Sequence, residues 1–181
     1  MIDFRKPIAW IGLCIAVLTA IVGFNLGDSY IPAREVLAED SRNSVAKIAV
    51  YHRWGVSPRT IVLDLRSVND DAAAIDIDRM VFQIAERFHD RTYDKVILAF
   101  RGEPKFRLDG AYFRRIGSEY AWQNPIVLVR TLPENVEALD GGRAFSEWSG
   151  GLLGVVSRQL EDHNSMHQQW YRDDIQNNWV E

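Results

Sequence analysis

The chain has a single cysteine, Cys14, and it lies inside an apolar N-terminal stretch. The rest of the protein therefore has no disulfide, no thiol nucleophile and no Cys-ligated metal. It contains no low-complexity tract, no Gly/Ser/Pro-rich linker and no repeat of solenoid period, so everything after that stretch reads as one domain. Positive charge is not in excess either: 21 Lys and Arg against 25 Asp and Glu leave a net charge of −4. That excludes a general basic field for nucleic acid. Catalytic signatures are also missing. No Gly-x-Ser-x-Gly elbow frames Ser67, Ser118, Ser146 or Ser149, and the Gly150 to Gly154 stretch lacks the Lys and hydroxyl of a phosphate loop.

Apolar residues, by contrast, make up 47% of the 181 residues, enough for a compact core. From Pro7 to Leu26 there is no charge at all. At about 1.5 Å of rise per residue, a helix of this length crosses the ~30 Å hydrocarbon core of a bilayer. Arg5 and Lys6 stand just before it, and Asp28 is the first charge after it. The positive-inside rule then predicts a single-pass inner-membrane anchor over 1–27, with its N-terminus in the cytoplasm. A single extracytoplasmic, periplasmic α/β domain is expected over 28–181. The competing reading is a cleaved signal peptide. Against it, no Ala-x-Ala site follows at the right distance and the apolar run is long for a signal. Leu13 before Cys14 argues against lipidation.

Three short runs set the fold expectation: Ile61–Leu65, Val96–Phe100 and Ile126–Val129. Each is too brief for a helix that buries a face, and helix-length segments separate them. This is the pattern of β-α-β units and predicts a small three-layer α/β domain with a mostly parallel sheet of three to four strands flanked by helices. Ala33 to about His52 is expected to be helical, the alternative being that Val45 to Tyr51 forms an edge strand against Thr60 to Leu65. A helix after Asn69-Asp70-Asp71 should bury Ala74, Ile77, Met80 or Val81, Ile84 and Phe88, with Asp78 and Arg79 outside. Asp109 is expected to cap a helix holding Tyr112, Phe113, Ile116 and Tyr120. A long amphipathic helix is expected from about Ala144 to Tyr171, and the tail beyond it ends with Trp179.

The first β-α unit, Ile61 to Ser67 and the helix after it, resembles the Clp-protease and crotonase-like folds. Ser67-Val-Asn-Asp stands where that family has Ser-Pro-Gly-Gly, so no residue roles carry over. The order of elements also resembles anti-sigma-antagonist (STAS) domains.

The candidate site comes from position. Each of the three runs ends in arginine: Arg66, Arg101 and Arg130. On parallel strands these would emerge along the carboxyl edge of the sheet, where ligands bind in open α/β folds, with Lys105 nearby. Arginine suits bidentate capture of carboxylate or phosphate. The counter-reading is ordinary pairing with Asp64, Asp70, Asp71, Glu103 and Glu134. His163 and His167, four apart, share a helical face as two metal-binding imidazoles do. Next to Leu160 and Trp170, however, they read as edge-of-core residues, and neither a metal nor a cofactor is expected. The sequence therefore points to a membrane-anchored interaction or accessory domain with a partner in the cell envelope. An anion-binding or hydrolase-type edge at Arg66, Arg101, Arg130 and Lys105 is the alternative.

Overall fold

The computed structural model describes residues 5–177; Trp179 lies outside them. Helix α1 (Arg5–Asn25) is continued without a break by a π-turn (Leu26–Tyr30) and α2 (Ile31–Ala38). Within this continuous helix the π-turn falls directly before Pro32, which has no N–H to give to the preceding turn, and the Asp28 carbonyl there is taken by the Arg91 side chain instead. Among the described residues this is the one helix long and apolar enough to cross a membrane; its most apolar window has a mean hydropathy of 2.0 and is not buried against the body. A signal sequence meets the same test.

A 3-10 turn (Ser41–Val45) leads into strand β1 (Ala46–His52), followed by β2 (Thr60–Val68), helix α3 (Ala74–Arg87), β3 (Lys95–Phe100) and β4 (Glu103–Asp109). Helices α4 (Gly110–Tyr120) and α5 (Pro125–Thr131), the short strand β5 (Val136–Glu137) and helix α6 (Leu152–His167) come next. A π-turn (Gln168–Arg172) carries α6 into α7 (Asp173–Asn177).

The sheet has five strands in the order β1-β2-β3-β4-β5. Only β2 and β3 run parallel; the other three pairings are antiparallel, so the sheet is mixed rather than mostly parallel. Three residue-level facts account for the difference. Ala46, Val50 and His52 turn to the core at a period of two, which makes a strand of the segment expected to be helical. Arg101 and Gly102 both have positive φ, 50° and 88°, as the two-residue turn of a β3–β4 hairpin requires. Asn124 accepts the Ile126 N–H at 3.1 Å, and Pro125 opens α5, so the expected third strand is a capped helix.

The core lies on one face of the sheet. Ile61, Leu63, Leu65, Val96, Leu98 and Phe100 meet Ile77, Ile84, Phe113, Leu128 and Trp170 there. The opposite face holds only the small cluster Val62, Ile97 and Ala99 with Tyr51 beside it, and no helix residue belongs to it. The expected helix layer on that side is absent among the described residues. Asp109 caps α4 as expected, accepting from Ala111 N at 2.9 Å. Helices α3 and α4 approach so closely at Gly117 that a Cβ there would strike the Ala85 carbonyl. The last helix begins at Leu152, later than expected, because the glycines at 150 and 151 sit outside it and Gly150 holds φ at 130°.

Candidate functional site

The four residues expected at a common edge divide between two places. The parallel β2–β3 pairing ends with Leu65 in register with Phe100, so Arg66 and Arg101 both lie at that end of the pairing, although β2 itself runs on to Val68. Lys105 follows in β4, just after the Arg101–Gly102 turn. Arg130 belongs to α5, not to a strand end. The three that share an edge already have partners. Arg66 lies 3.0 Å from the buried Asp64, and the Arg101 guanidinium sits 4.9 Å from the Phe100 ring centroid. Lys105 meets Asp174 at 2.9 Å and Glu103 at 3.2 Å. An open cavity of about 410 Å³ lies against Arg101, but Glu103 and Asp174 line it too. Its charge is mixed rather than anion-attracting.

Asp64 organises this end of the sheet. It is fully buried, accepting from the Tyr51 hydroxyl at 2.9 Å and from the Gly102 N–H at 2.9 Å. Burial, together with the Asp64 hydrogen bond, pushes the Tyr51 phenol up to about 12.

The most concentrated chemistry is elsewhere, and sequence reasoning put its central residue on the wrong face. Asp78 of α3 is completely buried and receives an imidazole on each oxygen: His163 Nε2 at 2.6 Å and His167 Nε2 at 3.0 Å. The histidines lie within the core rather than at its edge; His163 is 6% and His167 0% exposed. A periodic signal was present, since Ala74, Asp78, Val81 and Ala85 also step by three and four, and all four are buried. Burial opposes the charge on Asp78, but the two imidazoles outweigh it and hold the carboxyl below its ordinary value.

Among the described residues, these three side chains are the one group that could hold a metal, with ligand atoms within 4.8 Å of one another. Two observations favour direct hydrogen bonding instead. At 2.6 Å, the His163–Asp78 contact is a charge-assisted hydrogen bond. Metal-bound histidines also pass their second ring N–H to an acceptor, whereas His167 Nδ1 is buried with no hydrogen-bond partner. The trio therefore clamps α6 to α3.

A second polar cluster ties the apolar helix to the body. Asn25 donates to the Gly55 carbonyl at 2.6 Å and to Ile21 O at 2.9 Å, and its Oδ1 accepts the His52 N–H at 2.9 Å. Asp28 takes His52 Nε2 at 2.7 Å and Arg91 Nη1 at 2.9 Å. His52 Nδ1 points at the Ser57 carbonyl at 3.1 Å. The Asp28 carboxylate and the Ser57 carbonyl thus hold the His52 ring from both sides. Ser29, fully buried, closes the set by donating to Asn25 O. The body is therefore fixed to the end of the helix rather than hung from a linker.

No family model, no curated protein and no solved structure matches this chain.

Proposed function

We propose that the chain is a single-pass inner-membrane protein whose body, on the periplasmic side, works as an interaction domain for another envelope protein. Arg5 and Lys6 before the apolar run and Asp28 after it support this orientation. The observation that carries the interaction reading is Trp122. Its residue is 71% exposed in the turn between α4 and α5. Tyr120 and Pro125, on either side of it in sequence, line a groove of about 280 Å³ together with Ile75, Arg42 and Arg79. Ile75 and Ile126 are also exposed, at 46% and 48%. Tyrosine and arginine lining the groove, with an exposed tryptophan between Tyr120 and Pro125 in the chain, match the residue types of interface hot spots. The rigid junction at Asn25, Asp28 and His52 would hold this patch at one height above the bilayer.

A photo-crosslinking residue at position 122, in native membranes, tests the reading against the same residue at Asn164, exposed on α6. A discrete adduct at 122 and none at 164 is expected. No adduct at 122, or the same adducts at both positions, removes the interaction reading. Anion capture at Arg66, Arg101 and Lys105 has less support, because each cation there already has a carboxylate or aromatic partner.

A further inference from the structure

The β1–β2 connection, Arg53 to Arg59, reads Arg-Trp-Gly-Val-Ser-Pro-Arg and has no acidic residue. Among the described residues Trp54 is the most exposed aromatic, at 80%, and Val56 is 56% exposed. Trp54 also holds φ at 58°, a left-handed conformation that disfavours a large side chain. Glycine or asparagine would occupy the position at less cost, so an exposed tryptophan kept there in strain calls for a role outside the fold.

Its neighbour supplies the role. Gly55 packs on α1 so tightly that a Cβ would stand 3.1 Å from Ile21 Cγ2, and its carbonyl takes the Asn25 side chain at 2.6 Å. Ile21 to Asn25 is the last full turn of the uncharged run, about 6 Å along the helix axis. The boundary layer of a bilayer is of similar depth, roughly 5–8 Å on each side. The connection therefore sits beside the apolar helix at the level where hydrocarbon gives way to headgroups. Tryptophan partitions to that level. The Arg53 guanidinium, 5.3 Å from the Trp54 ring centroid, adds positive charge suited to anionic headgroups, whereas Arg59 at the far end of the connection is paired with Asp94.

We infer that the Arg53–Trp54–Gly55–Val56 tip is a second membrane contact, with the Trp54 indole seated among lipid headgroups beside α1. This rests on the reading of α1 as a membrane span. The body is thereby held to the bilayer at two points, the span and the tip, which resists tilting of the body against the membrane plane.

The single native cysteine makes the test direct. The full chain is reconstituted in vesicles of zwitterionic and anionic phospholipid and labelled with an environment-sensitive fluorophore at one cysteine at a time. The native Cys14 reports the span. In a Cys14→Ser background, Trp54→Cys and Val56→Cys report the tip, the latter with the tryptophan still in place, and Trp122→Cys reports the open body. Nitroxide lipids quench at headgroup depth or deep in the acyl chains. The expected result is deep quenching at 14, headgroup-level quenching at 54 and 56, and none at 122. If 14 is quenched while 54 and 56 behave like 122, the tip inference is overturned and the span stands. An unquenched label at 14 overturns the span reading, and this inference with it.

Discussion

Phe24 stacks on His52, their ring centroids 4.8 Å apart and their planes 20° from parallel. One ring belongs to the last turns of the apolar helix and the other to the end of β1. The stack lays the imidazole flat against the phenyl face, ring on ring. It adds an apolar seal over the polar bonds of Asn25 and Asp28.

Replacing His52 with alanine should therefore loosen the junction without unfolding the body. Asn25 Oδ1 keeps its backbone partner, but Asp28 loses one of its two side-chain partners, a loss on the order of 1–3 kcal/mol at a partly buried site. Limited proteolysis of the reconstituted protein would read this as new cleavage between Asn25 and Ile31. Unchanged protection would mean that the remaining Asp28–Arg91 pair is sufficient.

Asp78→Asn should destabilise the protein by about 3–5 kcal/mol, since two buried imidazoles lose their anion. It should also change the acid side of the stability curve. Folding lowers the Asp78 pKa below its ordinary 3.8, so the folded state binds that proton less tightly than the unfolded chain does. The stabilisation is complete above the ordinary value and drains away as pH falls through the lowered one. Denaturant melts between pH 2 and pH 6 should show a shallower acid limb in Asp78→Asn than in the native protein.

Gly117→Ala should cost roughly 1–3 kcal/mol through overpacking at the α3–α4 crossing, where the new methyl meets the Ala85 carbonyl. A thermal melt would show a fall of several degrees. No loss would mean that the helices separate at little cost.

Arg101→Asn should do the reverse. The turn holds Arg101 at φ 50°, and asparagine adopts this conformation more readily, so a gain of up to about 1 kcal/mol is expected. The same variant tests the anion-edge alternative. Protection by sulfate in a melt, present in the native protein and lost in the variant, would revive it.

An alkaline phosphatase fused after Glu181 should be active if the body lies on the periplasmic side. Activity confined to a cytosolic reporter would reverse the orientation.

The sequence revealed the parts of this fold that are carried by continuous apolar patterns. The uncharged helix, β2, β3 and the helix capped by Asp109 all stand where patterning put them. It misled wherever one residue overrode a pattern. Ile126 to Val129 has the composition of a strand, yet Asn124 and Pro125 cap and start a helix there, and tertiary packing outweighs β-propensity. The Arg101–Gly102 pair looked like a strand exit and is a hairpin turn, because positive φ at arginine leaves no mark on hydropathy. The site suffered most. Asp78 and Asn25 matter because one is buried and the other half-buried with partners 85 and 27 residues away, and polarity alone argues for the surface.

The junction also bears on how the protein is made. Asn25 and Asp28 are synthesised well before Arg91, and at roughly 5–20 residues per second the apolar helix is waiting for several seconds before its last partner exists. His52 can engage only after β1 has formed, and Arg91 only after α3 has ended and the chain turns toward β3. The apolar helix therefore comes first and its fastening last. A body that fails to fold would leave Asn25 and Asp28 uncovered, and quality-control proteases would meet an unfastened helix end that the finished protein hides.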